Sequence, residues 1–320
     1  MKAARYHTFG NPQVLKIEEV TQPKPTSKEV LVEVLATTVN SGDCHLRSGE
    51  PFIARLFAGP FTPKNKILGT TFSGRISEVG SDVKRFKKGD LVYGSFGVNS
   101  GTHAEYLTIS EDETISHKPE FLSHEEAAAL VFGPISAIYF LKKAGIEKNK
   151  KVLIIGGAGG VGSYAIQVAK HYGAHVTAVC GTNDIDFVKS LGADKIIDYR
   201  KQTAIDYCTS NALSFDIILD MVCNATVNQI KSILNQQGSY TGTLAKLPLL
   251  IEAAKPTQNK KFTFDVSKSD AKVMDFISEL AQLGHFKPLI SAVYSLKDIS
   301  KAHSHVEDMP KRGAVVVSME

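Results

Sequence analysis

The chain has little that would tie it to an oxidising compartment, a membrane or a nucleic acid. Its four cysteines, Cys44, Cys180, Cys208 and Cys223, share no C-x-x-C spacing and suggest no disulfide framework. No run of about 18 consecutive apolar residues occurs, and the opening MKAARYHTFG has no apolar signal core. The expectation is a reduced, soluble, cytoplasmic protein. Charge of either sign is close to balanced, with 37 basic against 33 acidic residues and a net charge of +4. Such a balance excludes a basic nucleic-acid arm. The local clusters Lys84-Arg85 with Lys87-Lys88, and Lys260-Lys261, read as solvated faces. Low-complexity segments and internal repeats are also missing.

What is present is enough apolar content, 43% of 320 residues, to bury a core, over a length that favours two domains. The first ~120 residues read as short strands between turns. EVLVEVLATTV sets Val30, Val32 and Val34 against Leu31, Glu33 and Leu35, and GRISEVG, GDLVYGSFG and HAEYLTI follow with glycine at the breaks. Ser123 with Glu126 three residues on makes a capping box at the head of a helix through Ala127–Ala129 and beyond. Strands and helices then alternate: KVLIIG, GSYAIQVAKHYG, HVTAVC, DIDFVKSLG, KIIDY, FDIILD, a helix over NATVNQIKSILNQQG, and SYTGTL. That rhythm predicts a doubly wound parallel sheet with helices on both faces. A helical DAKVMDFISELAQLG leads to a strand-like GAVVVSME that resembles the front of the chain. The expected division is therefore 1–122 and 269–320 as one discontinuous domain, with 123–268 inserted.

Residues Gly157-Ala158-Gly159-Gly160-Val161-Gly162 match G-x-G-x-x-G between a strand, Val152–Ile155, and a helix. In that context the glycines provide a tight turn, close approach of backbone to a pyrophosphate, and close helix–strand packing. The helix N-terminus then offers free N–H groups and partial positive charge to the phosphates. An NAD-specific site usually carries Asp or Glu at the end of the second strand, to hold the ribose 2′-hydroxyl. Here that strand ends Cys180-Gly181-Thr182-Asn183, with no carboxylate. The gap leaves room for a 2′-phosphate, and Tyr199, with Arg200 and Lys201 behind it, could supply donors and positive charge. NADPH is favoured over NADH. Met221 and Val222 after the fourth strand, and Thr243 and Leu244 after the fifth, should flank the dinucleotide, because ligands bind outside the carboxyl ends of strands. For the apolar pair, ordinary core is the alternative.

The stretches VNSGDCHLRSG, ILGTTFSGRISEVGSDVKRFKKGDLVYGS, HAEYLTI, LSHEEAAAL, GGAGGVGSYAIQVAK, SLGADKIIDY, FDIILD, FKPLI and KRGAVVV resemble the medium-chain dehydrogenase/reductase superfamily, and within it the zinc-independent quinone oxidoreductase, zeta-crystallin-like branch. The resemblance implies a GroES-like β-rich catalytic domain with an inserted Rossmann domain, α/β in class, and a homodimer. Zinc alcohol dehydrogenases of the superfamily carry a cysteine ligand where this chain has Asn40, and Gly-His-Glu where it has Gly69-Thr70-Thr71. Amide and hydroxyl groups do not replace thiolate, imidazole or carboxylate donors. The four-cysteine structural zinc lobe has no counterpart either, and Cys44-His45 alone make a poor site. No metal is expected. Without a Lewis acid, the reaction the resemblance implies is hydride transfer from NADPH to a quinone or an α,β-unsaturated carbonyl, an acceptor already polarised by conjugation. Two other readings remain open: an NADPH-binding redox sensor or RNA- or protein-binding adaptor with little turnover, and an alcohol dehydrogenase.

The resemblance also assigns candidate residues. Asn40 and Asp43 match the family's Asn-x-x-Asp segment and would line the nicotinamide and substrate site. Alternatively, Asn40 is a turn residue and Asp43 a helix cap. His45 stands where relatives often have tyrosine and is the candidate acid, though a surface histidine fits equally. Arg47 reads as a structural ion-pair partner. Ser136 keeps the hydroxyl of a family threonine near the nicotinamide ribose, but the preceding Gly133-Pro134 departs from the common pattern. Gly181 stands where relatives have a phosphate-binding serine and Asn183 where some have arginine, so Thr182 and Tyr199 carry the NADPH expectation. Phe264 could touch the nicotinamide side or pair across a dimer. Phe52, Ile53, Leu56, Phe57 and Phe61 suit a lipophilic acceptor or a packed lid. No tyrosine occurs between Tyr6 and Tyr93, which argues against the tyrosine-dependent enoyl-thioester reductases.

Overall fold

A computed structural model describes residues 1–97, 99–242, 259–268, 271–309 and 312–319. The chain divides into two units, Met1–Phe132 with Ser269–Glu320, and Gly133–Lys268. The first opens with a hairpin of β1 (Lys2–Arg5) and β2 (Lys16–Glu19), then the long β3 (Glu29–Val39). Helices α1 (Ser41–Ser48) and α2 (Arg55–Ala58) follow, then β4 (Thr71–Val79), β5 (Leu91–Ser95), β6 (Tyr106–Ser110), β7 (Ile115–His117) and α3 (His124–Ala129). Strand β3 pairs with β4 and β6. It is buried on both faces, Leu31 as deeply as Val30 and Val32, so its simple in–out alternation is overridden by its central place. Val30, Val32, Val34, Phe72, Ile76, Val92 and Leu107 form the core there.

The Ser123–Glu126 capping box forms as expected, each side chain closing on the other's backbone N–H. The helix stops at Leu130, however, and α4 (Phe132–Ala144) starts afresh. Pro134 falls in the first turn of α4, where a missing N–H costs nothing. The expected boundary at residue 123 differs from the division at Phe132/Gly133. Helix α3 lies on β3 and β4, with Ala128 and Ala129 packed against Ala36 and Val316. The stretch His124–Ala144 has the length and composition to cross a membrane; the burial of Ile135, Ile138, Phe140 and Leu141 makes it a core stretch instead.

The second unit runs α4, β8 (Lys151–Ile155), α5 (Gly162–His171), β9 (His175–Cys180), α6 (Ile185–Ser190), β10 (Lys195–Asp198), α7 (Ala204–Ser210), β11 (Phe215–Asp220), α8 (Val227–Ile233), β12 (Leu234–Gly242) and β13 (Lys261–Phe264). All six strands are parallel in the order β10-β9-β8-β11-β12-β13. The order reverses between β8 and β11, and that switch point is where doubly wound sheets bind ligands. Helix α8 is shorter than its polar-apolar pattern suggests. Strand β12 begins at Leu234, and Leu234 buries its side chain beside Phe215 and Ile230 rather than extending the helix. Burying side chains such as Leu153, Ile218, Ile230 and Ile233 contributes roughly 1.5–3 kcal/mol each to this core.

The first unit closes with α9 (Ala271–Gln282), β14 (Ile290–Ser295), α10 (Ile299–Asp308) and β15 (Ala314–Ser318). β15 pairs antiparallel with β3, completing the sheet order β14-β15-β3-β4-β5-β7. Helix α9 is fixed by the Tyr93 hydroxyl, 2.7 Å from Ser278 Oγ, and by the Ser116 hydroxyl donating to Asp275 at 2.7 Å.

Candidate functional site

The glycine-rich turn sits at the carboxyl end of β8, at the switch point. Gly156 takes a left-handed φ of 87°, and its N–H and that of Gly157 both reach the carbonyl of Val179 on β9. A Cβ on Gly162 would lie 2.1 Å from the Gly156 carbonyl oxygen, so the start of α5 can approach the end of β8 this closely only without one. Gly159 is different. A Cβ there would meet only the Gly156 oxygen at 3.4 Å, so its surroundings inside the protein leave room for more than glycine. Helix α5 starts without a side-chain cap, and the Ser163 N–H of its first turn goes to the Gly159 carbonyl at 3.0 Å. The fully buried Ser163 hydroxyl in its first turn has no hydrogen-bond partner. A helix start with no side-chain cap, the positive end of that helix and the open side of Gly159 fit a diphosphate. Sequence reasoning missed two residues here. Gly156 makes the turn one position before the quoted motif. Gly133 on α4 comes so close that a Cβ would lie 2.3 Å from the Gly160 oxygen and 2.5 Å from Tyr164; its signal was the departure before Ser136.

The remaining dinucleotide candidates gather around this turn, with exceptions. Met221 and Val222 follow β11 and face the spot a Gly156 Cβ would occupy, 3.4 Å away. Ser136 is buried, with its hydroxyl 3.1 Å from Ser267 Oγ. Tyr199 follows β10 and brings its hydroxyl to 3.2 Å from the position of a Gly181 Cβ, half exposed, with Arg200 over its ring. The Thr182 hydroxyl donates to Asp198 at 2.7 Å. Phe264, on β13, is half-buried and packs against the core residue Tyr240 at 5.7 Å between ring centroids. Thr243 and Leu244 lie outside the described residues.

In the first unit, Asn40 follows β3 and caps α1. Its Oδ1 accepts from the Asp43 N–H at 3.2 Å, while the Asn40 N–H donates to Asp43 Oδ2 at 2.9 Å. The other Asp43 oxygen accepts from Gly69 N–H at 3.1 Å. Asp43 therefore ties together the two segments on which the zinc enzymes carry ligands, and Asn40 Nδ2 donates to Thr70 Oγ1 at 3.1 Å. Burial pushes the Asp43 carboxyl up to about 7, against the pull of the two backbone N–H groups. Being 1% exposed and spent on backbone, Asp43 holds Asn40 in place and does not itself meet a substrate, which corrects its assignment as catalytic.

Thr71 is buried and bonded to Thr38 Oγ1 at 2.7 Å. An amide bonded to the Thr70 hydroxyl, and a Thr71 hydroxyl bonded to Thr38, do not suit zinc, which takes thiolate, imidazole or carboxylate donors. Among the described residues no group of three or more His, Cys, Asp or Glu side chains is placed to hold a metal. Cys44 and His45 diverge. The Cys44 thiol lies 3.6 Å from His303 Nδ1 in the core, and His45 Nδ1 is 2.8 Å from the Glu50 carbonyl. A carbonyl only accepts, so His45 Nδ1 carries the hydrogen, and the neutral ring presents Nε2 as an acceptor. Arg47 is the structural residue expected, buried and paired with Glu307. Phe52, Leu56 and Phe61 are 67%, 73% and 89% exposed, against a packed lid; the side chains of Ile53 and Phe57 lie outside the described residues.

Residues 26–120 match the family described as alcohol dehydrogenase GroES-like domain, and residues 191–317 the family described as zinc-binding dehydrogenase. The chain is 31% identical to the chloroplastic quinone-oxidoreductase QR1 of Triphysaria versicolor, over 99% of this chain and 98% of that protein. It is 32% identical to the 2-methylene-furan-3-one reductase of Solanum lycopersicum, over 99% of this chain and 79% of that protein. Among solved structures, the quinone oxidoreductase of Coxiella burnetii superposes with a TM-score of 0.89 at 29% identity, covering 100% and 99% of the two chains. With a GroES-like sheet and a six-stranded doubly wound sheet in one chain, the protein belongs to the medium-chain dehydrogenase/reductase superfamily, in its quinone-oxidoreductase branch.

Proposed function

We propose that the chain is an oxidoreductase that moves hydride from NADPH to a quinone or an α,β-unsaturated carbonyl, without a metal. The observation that carries the reading is the glycine turn at the switch point, with its uncapped helix and open Gly159. The relatives named for quinone and for furanone reduction point to the acceptor class. Bound there, the dinucleotide supplies the hydride; Gly156, Gly157, Gly159 and the start of α5 would hold its diphosphate, with Met221 and Val222 alongside.

Hydride adds to the β-carbon of an enone or to a quinone ring system, and negative charge develops on the acceptor's oxygen. If Asn40 lines the substrate site, as its match to the family's Asn-x-x-Asp segment implies, the Nδ2 hydrogen not given to Thr70 would serve that oxygen. Asp43 fixes the amide's orientation in advance, which makes the stabilisation preorganised. Protonation of the enolate or hydroquinone completes the two-electron reduction. His45 can donate from Nε2 only as imidazolium, because its Nδ1–H is held by Glu50. NADPH is preferred through Tyr199, Arg200 and Lys201 in the absence of an acid at the end of β9. The four cysteines are all buried and none is held in a disulfide, which accords with a reducing, cytoplasmic setting. Strand β13, last in the sheet order among the described residues, offers a pairing surface for a homodimer.

The test is loss of nicotinamide absorbance with a panel of quinones, enals and enones, beside primary alcohols with NADP in the reverse direction and metal analysis of the purified chain. Oxidation of NADPH by a quinone or enone, unaffected by chelator, is expected. NADPH binding with no acceptor turned over would favour the sensor or adaptor; one bound zinc with chelator-sensitive alcohol oxidation would favour the dehydrogenase.

A further inference from the structure

The reading above leaves the 2′-position of the adenosine ribose to Thr182 and Tyr199, but the fold brings a third group there. Asp198 ends β10 and lies in register with Cys180, the last residue of β9. Chains that prefer NAD carry their acid on β9's counterpart at this level. Here a carboxylate arrives at the same level from the neighbouring strand, roughly one strand spacing, about 4.8 Å, away. Its Oδ2 takes the Thr182 hydroxyl at 2.7 Å and its Oδ1 takes the Arg200 N–H at 2.9 Å.

We infer that Asp198, through its bond to Thr182, sets the choice between NADPH and NADH at this site and keeps the site open to both. The inference rests on the nicotinamide-dinucleotide reading. A 2′-phosphate is an acceptor and needs donors. The one hydroxyl hydrogen of Thr182 is already given to Asp198, so the phosphate can take it only by breaking that bond. Asp198 also repels the phosphate directly. The Thr182 hydroxyl and the Arg200 N–H hold its carboxyl below the usual range, so it stays charged at neutral pH. Tyr199, Arg200 and Lys201 oppose that repulsion; the Arg200 guanidinium lies 5.5 Å over the Tyr199 ring and Arg200 and Lys201 both act on Asp198. The 2′-hydroxyl of NADH finds the reverse situation, because Asp198 Oδ2 has a lone pair left to accept it. A carboxylate at Asp198 beside the cations Arg200 and Lys201 makes a dual-specificity site.

The experiment is titration calorimetry of the full chain with NADPH and with NADH, for the wild type and for Asp198→Asn. Asparagine can keep the Arg200 N–H bond through its carbonyl oxygen and turn its Nδ2 to donate to the Thr182 hydroxyl, which removes the charge and releases the hydroxyl's own hydrogen for a phosphate. The expected result is NADPH binding tighter by about tenfold, the scale of a unit charge removed at this range near a surface. NADH binding should stay level or weaken by a few-fold, so the preference moves by tenfold or more. Asp206→Asn is the control. It removes the same charge from a Thr–Asp pair of equal length, Thr203 to Asp206 at 2.7 Å, at the head of α7, and the preference should not move. An unmoved preference in Asp198→Asn, or equal weakening of both nucleotides, overturns the inference and makes Asp198 a structural clasp only. A wild type that binds neither nucleotide removes the proposed function and this inference together.

Discussion

Two glycines of one turn should fail in opposite ways when each is given a single methyl group. A Cβ on Gly162 would stand 2.1 Å from the Gly156 oxygen, 2.8 Å from the Gly156 carbonyl carbon and 3.0 Å from Gly157 Cα. All three are backbone atoms, so relief requires helix α5 to retreat from β8. Overpacking of this kind costs about 1–3 kcal/mol, more when backbone must shift. Gly162→Ala should therefore lower the unfolding midpoint by several degrees. Gly159→Ala meets only ordinary contact at 3.4 Å, and Gly159 has no left-handed φ. Its midpoint should hold or rise slightly, since alanine removes about 0.4–1 kcal/mol of freedom from the unfolded chain. The same methyl group points to the open side that a pyrophosphate would occupy. A hundredfold loss of dinucleotide affinity, about 2.7 kcal/mol, is the expected scale. Thermal unfolding and calorimetry on the two variants read both effects. A Gly159→Ala variant that binds NADPH like the wild type would refute the assignment of this turn. A Gly162→Ala variant of unchanged midpoint would refute the packing argument.

Asp43 should leave a signature in stability against pH. Its folded-state value of about 7 lies above the ordinary carboxyl value near 4, so the folded chain holds this proton more tightly than the unfolded one. That contribution is present at acid pH and is lost as pH rises from about 4 to 7, by up to about 4 kcal/mol. Asp43→Asn cannot ionise, so denaturant unfolding should show the gap between variant and wild type shift in the variant's favour over that window; a constant gap would contradict the burial argument. Arg47 is 1% exposed and paired with Glu307, and two of its nitrogens have no hydrogen-bond partner. Glu307→Ala, which strands the buried cation, should cost about 3–5 kcal/mol, and Arg47→Met appreciably less; the reverse order in equilibrium unfolding would show that the pair is not what holds the guanidinium. Tyr199→Phe should weaken NADPH several-fold and leave NADH nearly unchanged in steady-state KM, and equal losses would take Tyr199 out of the phosphate site.

Local chemistry made much of this fold legible. The strand HVTAVC is β9 residue for residue, and Ser123 with Glu126 closes its capping box as a local rule predicts. The discontinuous first domain was visible because β15 repeats the β-branched texture of β3, its partner in the sheet. What was not legible depends on contacts distant in sequence. NATVNQIKSILNQQG carries a helical pattern to its end, yet the core beside Phe215 draws Leu234 into a strand. Asp43 looked as ready for chemistry as Asn40. Only the approach of Gly69, 26 positions away, shows that both its oxygens are spent on backbone. The roles of Asp198 and Gly133 come from strand register and helix packing, which no spacing rule encodes.

The most direct test of hydride transfer is isotopic. NADPH deuterated at the transferring position of its nicotinamide, incubated with the chain and an enone in ordinary water, should place the deuterium on the former β-carbon of the saturated ketone. A saturated product carrying no deuterium, or NADPH that remains unoxidised before every enone and quinone, would contradict the account.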